Sequence, residues 1–338
     1  MLFFAQFVAK SRALSRIIGL ALLCAAIFSS LSFAVPQSAP SATSAVKDLL
    51  AAGRVDDAMQ TVQQKIDHAP DADSYNLLCR AYFALEQWDR AISVCERAIN
   101  LDPQNGFYHL WLGRAYGEKA DKAGFLSAAG LAKKVRTEFE RAVELNPSDP
   151  AARTDLAEFY IEAPGIVGGG KDKARAQADA LTRLDPAMSH WIAGRIAEKN
   201  KDNDDAEREY RAAIAISHGG AHAWLNLAIF FRHTNRLDEM EQAIHTMESR
   251  PMDRPESLMD GASLLFRTNR DSAFAVRLLR RYLTAPVEEA PAFKAHDLLG
   301  QLLQRQGDRQ SAIAEYRAAL SLAHSFSRAQ ENLKRLEH

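Results

Sequence analysis

The stretch Gly165-Ile-Val-Gly-Gly-Gly170-Lys171-Asp172 has the spacing of a phosphate-binding loop: glycine, four residues, glycine, lysine. Such a loop works because glycines let backbone N–H groups and a helix N-terminus converge on phosphate, while a Ser or Thr after the lysine holds magnesium. Here Asp172 replaces that hydroxyl, and its charge repels phosphate. The preceding residues, 151–162, read as a helix and not as the buried strand the motif requires. Pro164 stops that helix, and the glycines then supply a wide turn. The ten histidines offer no better start. His218 and His222 have i, i+4 spacing, but glycines interrupt them and no Cys or carboxylate pair lies near. His109, His190 and His296 read as ring-shaped fillers. No nucleophile elbow and no His-Glu metalloprotease helix occurs. The sequence therefore predicts no enzyme, no metal, no cofactor and no nucleotide.

Charge points the same way. The 338 residues carry 42 basic and 43 acidic side chains, so no broad basic field for nucleic acid is expected. With 47% hydrophobic and 25% charged residues, the chain should fold. The N-terminus differs in kind. Lys10, Arg12 and Arg16 precede the apolar run 17–28, small residues stand at Ser32 and Ala34, and no acid occurs before Asp48. This is the layout of a signal peptide over 1–34 cleaved after Ala34, giving a periplasmic or secreted protein. The alternative is an uncleaved anchor in an inner membrane, the chain's only expected membrane contact. Export permits a disulfide between Cys79 and Cys95, although two small buried thiols are the simpler expectation.

The elements that position these residues follow from a period of 34. From Ala72, Tyr75, Leu78, Cys79, Tyr82, Trp88, Ala91, Cys95, Ala98 and Pro103 fall at fixed offsets that recur along the chain. Units start near 39, 72, 106, 150, 187, 221, 256 and 293. Their eighth residues are Val46, Cys79, Gly113, Ala157, Gly194, Ala228, Ser263 and Gly300, nearly all small. Their twentieth are Ala58, Ala91, Val135, Ala174, Ala206, Met240, Ala275 and Ala312. Small residues let two antiparallel helices approach, and stacked pairs bury what one pair cannot. The pattern resembles the tetratricopeptide-repeat family. That resemblance implies an all-α, right-handed superhelix of about eight helix pairs over 35–338, closed by a capping helix at 326–338. The third unit carries about ten extra residues within 121–135, and Phe125, Ala128, Ala132, Val135 and Phe139 recur at the spacing of an extended second helix. The fourth carries five extra in the glycine turn.

In this family ligand segments lie along the first helices on the concave face. Carried over, that line gives Asn76, Arg80, Phe83, Phe107, Trp111, Arg114, Asp155, Glu158, Trp191, Arg195, Asn226, Ile229, Arg232 and Arg267. Trp224 and Trp88 take structural positions, whereas Trp111 and Trp191 face the groove, each about one turn from an arginine. Aromatic and arginine anchors concentrate interface energy. The polar clamp of chaperone-tail receptors is absent, because Leu110, Trp111 and Ala151 stand where it needs polar residues. The resemblance thus implies a non-catalytic scaffold that binds a protein partner, or an assembly factor held at a membrane by its leader.

Overall fold

A computed structural model describes residues 42–288 and 290–337. The expected leader, 1–34, lies outside them. Eight antiparallel helix pairs follow one another: α1 (Ala42–Ala51) with α2 (Val55–His68), α3 (Ala72–Ala84) with α4 (Trp88–Leu101), and α5 (Gly106–Lys122) with α6 (Phe125–Leu145). Next come α7 (Pro150–Glu162) with α8 (Lys171–Leu181), α9 (Pro186–Lys199) with α10 (Asn203–Ile216), and α11 (Ala221–His233) with α12 (Leu237–Glu248). Then α13 (Glu256–Thr268) pairs with α14 (Ser272–Tyr282) and α15 (Ala292–Arg305) with α16 (Arg309–Leu322), before the cap α17 (Ser327–Glu337). Among the described residues there is no strand, and no helix is long and apolar enough to cross a membrane.

Local rules place the helix starts. Asp71, Asp185, Asp202, Asp271 and Asp308 each accept a hydrogen bond from the backbone N–H three residues on. Such a cap is worth about 1 kcal/mol. Pro150 and Pro186 occupy first-turn positions where a missing N–H costs nothing.

In units of standard length, a close approach joins the eighth residue to one sixteen further on. A β-carbon added at Gly300 would meet the Tyr316 ring at 2.6 Å, and one at Gly194 would meet Tyr210 at 3.0 Å. The second unit has Cys79 and Cys95 at these two positions. The structure joins them in a disulfide with Cα atoms 5.3 Å apart. This corrects the expectation of two thiols: the two positions are those of close helix contact, well inside disulfide reach.

The extra residues of the third unit lengthen both of its helices, α5 to 17 and α6 to 21 residues. Arg136 of α6 then reaches the glycine turn of the fourth unit, 3.5 Å from the Val167 carbonyl. The two insertions of the chain therefore pack side by side.

The two ends of the array also meet. Phe293 and Phe326 lie in one apolar cluster with Val46, Leu50, Val55 and Leu77 of the first units. Gly53, at φ +73°, is so close to α15 that an added β-carbon would lie 2.9 Å from that of Ala292. Asp56 accepts from the His324 backbone N–H at 2.7 Å and pairs with its ring at 2.8 Å. Glu86 binds Arg328 at 2.5 Å and Lys294 at 3.6 Å. The superhelix thus closes on itself, with the first helices lining its inner side.

Candidate functional site

Five of the expected concave residues form one cluster on α3 and α5. Arg80 and Phe83 sit about one turn apart on α3, and Phe107, Trp111 and Arg114 follow at helical spacing on α5. Trp111 is the floor, with 6% of its surface exposed. The Phe83 ring meets it edge-on at 5.3 Å and that of Phe107 at 6.3 Å. The guanidinium carbons of Arg80 and Arg114 lie 5.3 and 5.0 Å from its centroid. A cation near a tryptophan ring gains about 0.5–2 kcal/mol as it loses water. Phe107, 39% exposed, forms the rim.

Each arginine has an acid partner. Arg114 donates from Nε to Asp155 of α7 at 2.6 Å, and both side chains are buried. Arg80 donates to Glu288, in the connection between α14 and α15 across the ring. That connection is held by Tyr282, whose hydroxyl accepts from the Val287 N–H at 2.9 Å and donates to the Ala290 carbonyl.

A second cluster surrounds Arg195 on α9. Its guanidinium lies 2.8 Å from Glu162, 3.3 Å from Glu198 and 4.0 Å from Glu158. Burial, helped by the carboxylates of Asp155 and Glu162, pushes Glu158 up to about 8, and the charge of Arg195 opposes this only in part. Burial alone would raise Glu198 too. Bonds from His233 and Tyr210 and the charge on Arg195 instead hold it below the usual carboxylate range. Glu162 and Glu198 occupy the thirteenth and twelfth positions of their units, on the same line of first-helix residues, and sequence reasoning passed over them.

Three other expected residues, Trp191, Asn226 and Arg232, are placed differently. Trp191 is 5% exposed, so its ring is packed and not presented. Asn226 lines a separate cavity of about 340 Å³ with Met188, His222 and Arg254. Arg232 is half-buried, and its Nε has no acceptor within the protein. The filler histidines prove to have a polar role: His109, His190 and His296 bond Glu138, Glu209 and Glu315 of their partner helices at 2.7, 2.8 and 2.6 Å. Among the described residues one trio, Glu241, His245 and Asp271, has ligand atoms within 4.8 Å of one another. Arg270 already holds Glu241 at 2.7 Å, and Asp271 caps α14.

The glycine turn offers no phosphate cradle. A helix leads in, and the N–H groups of Val167, Gly168, Gly169 and Gly170 bond the carbonyls of Pro164, Gly165, Pro164 and Tyr160. Lys171 binds Asn200 at 2.5 Å.

With this geometry in place, likeness to known proteins is informative. Tetratricopeptide-repeat family profiles match residues 49–116, 168–221 and 293–325. The stretch between the first two matches contains the third unit's insertion and the start of the glycine turn. No curated protein matches the sequence. Among solved structures, yeast Tom70 is similar with a TM-score of 0.53 and 16% identity, over 92% of this chain and 66% of that one. A thermophilic TPR protein of Thermus thermophilus gives 0.47 and 17%, over 56% of this chain and 97% of that one. The Cut9 and Hcn1 assembly of the APC/C gives 0.39 and 12%, covering 88% of this chain and 55% of that one. The chain thus spans about half to two thirds of the length of Tom70 and of the APC/C chain, and the likeness to Tom70 is one of fold.

Proposed function

The chain is a tetratricopeptide-repeat protein, and from that premise we propose that it is a non-catalytic scaffold that takes a segment of a partner protein along its inner face. The observation that carries this reading is the aromatic and arginine cluster on α3 and α5. Trp111 is flanked there by Phe83, Phe107, Arg80 and Arg114, a composition that makes binding hot spots. The site buries two cations at some desolvation cost. The Cys79–Cys95 disulfide supports export, because such bonds persist in oxidising compartments. The proposed location is therefore periplasmic or secreted. The apolar run 17–28 favours a second form of the same reading, an assembly factor held beside a membrane complex by an uncleaved leader. N-terminal sequencing of the mature chain separates the two.

The scaffold reading is tested by photo-crosslinking in the native host from position 107, on the cluster's rim, and from position 166 on the glycine turn, where Ile166 is 89% exposed. One dominant protein adduct from 107, absent from 166, is the expected result. Capture from 166 alone would move the working surface to the paired insertions and abolish the inner-face assignment.

A further inference from the structure

The inner cluster holds a chemical imbalance. Asn76 Nδ2, Arg80 Nε, Trp111 Nε1 and Arg114 Nη2 are buried N–H donors with no acceptor within the protein. Asn76 lies one turn before Arg80 on α3, and the two arginines flank the Trp111 ring. Asn76, Trp111 and Arg114 are 2, 6 and 4% exposed, and the Arg80 side chain is 10% exposed. A buried donor without an acceptor has lost the hydrogen bond it made to water and regained none. All four are donors, none is an acceptor, and two belong to guanidiniums whose other nitrogens already bind carboxylates. Asp155 accepts from Nε of Arg114, and Glu288 from a terminal nitrogen of Arg80.

Glu288 shows what the cluster selects. It does not come from the repeat pattern. It comes from the connection Pro286-Val287-Glu288-Glu289-Ala290-Pro291, a short acidic segment bounded by prolines, and it reaches Arg80 from the far side of the ring. The rim beside it is apolar and, at Phe107, open. An acid next to an apolar residue suits both features, since a carboxylate accepts several N–H bonds and binds a guanidinium fork.

We propose that the Asn76–Arg80–Trp111–Arg114 cluster recognises an acidic residue in an extended, proline-bearing segment of the partner protein, and that the Glu288 connection is an internal stand-in which that segment displaces. The proposal rests on the inner-face reading above and gives its partner a chemistry. Displacement exchanges one carboxylate for another at Arg80, so the cluster never holds an unpaired buried cation during exchange. The incoming segment gains the donors that Glu288 leaves unused.

The test uses the full chain and a defined probe, the fluorescein-labelled peptide Thr-Ala-Pro-Val-Glu-Glu-Ala-Pro-Ala-Phe copied from residues 284–293, beside a copy with Gln for both Glu. Anisotropy titrations compare the parent chain, Glu288→Gln, and Glu288→Gln combined with Arg80→Met or Arg80→Lys. The acidic peptide should bind Glu288→Gln at least about tenfold tighter than it binds the parent chain, and about tenfold tighter than the amide peptide binds, each the equivalent of ~1.4 kcal/mol. Arg80→Met should abolish the preference for acid, and Arg80→Lys should restore part of it. Far-UV circular dichroism identifies a variant that has merely unfolded. Equal binding of acidic and amide peptides to a folded Glu288→Gln chain, or a preference that survives Arg80→Met, overturns the proposal. If that happens while position 107 still captures its adduct, the scaffold reading stands and only its acid chemistry is lost. An acid preference without any adduct from 107 upholds the recognition chemistry and removes the inner face as the site where the host partner docks.

Discussion

The inner face carries two arginine sites built on opposite principles, and α7 lies between them. Asp155 reaches back to Arg114, while Glu158, one turn further on, faces Arg195. In the first site each arginine has one carboxylate, but four buried N–H donors have no acceptor. In the second, three carboxylates crowd one guanidinium. The crowded site has an outlet: a carboxyl buried among its own kind can keep its proton, and Glu158 does so up to about 8. The donor-rich site has none, because a guanidinium stays charged at any accessible pH. An excess of acid can thus be relieved from within, whereas an excess of N–H donors can be relieved only by bringing in an acceptor. That asymmetry is why we assign the proposed partner-binding role to the first site and a structural one to the second.

Four perturbations probe this contrast. Asp155→Ala leaves Arg114 buried and charged, and should cost about 3–5 kcal/mol, read from urea unfolding followed by circular dichroism. A cost below that of the second-site variant would remove the asymmetry. Reducing the Cys79–Cys95 bond, or replacing both residues with alanine, frees a loop of 16 residues in sequence separation and should cost about 3 kcal/mol. It should also loosen α3 beneath Arg80, seen as faster amide exchange there than on α9. Arg195→Met should cost only about 1–2 kcal/mol, because protonation of Glu158 absorbs part of the loss. A cost equal to that of Asp155→Ala would show that the carboxylates have no such outlet.

The smallest effect is in the pH profile. An unfolded glutamate titrates near 4.5 and folded Glu158 near 8, so folding takes up a proton between those values. The stability this contributes is fully present below 4.5 and is lost as pH rises through 8. Glu158→Gln should flatten the decline in melting temperature between about pH 5 and 8 while changing little below about pH 4.5. A slope unchanged in Glu158→Gln would assign the titration to another group.

Much of this was legible in the residues. The recurrence of small side chains at the eighth and twentieth positions pointed to the helix pairs, because close backbone approach tolerates little else there. The same register put Arg80, Trp111, Arg114, Glu158 and Arg195 on a common face. The disulfide could have been read as well: Cys79 and Cys95 are sixteen apart, the offset that brings Gly194 to Tyr210 and Gly300 to Tyr316. So could the histidine pairs, since His190–Glu209 and His296–Glu315 share an offset of nineteen. Glu288 was beyond reach. It sits in a connection with no periodicity, and its contact with Arg80 joins residues 208 apart. Ring closure is hidden for the same reason, because a repeat records what each unit does to the next and says nothing about how the last meets the first.

That closure changes how the molecule should come apart. An open array behaves like a one-dimensional magnet: end units have one neighbour in place of two, so melting begins by fraying inward from the tips. Here Gly53 abuts Ala292, and Asp56 and Glu86 hold His324 and Arg328, so the terminal units have neighbours on both sides. A loop of coupled spins has no tip from which to fray, and disorder must enter by creating two boundaries at once. Amide exchange in α1, α2, α16 and α17 should therefore be as slow as in the middle of the array.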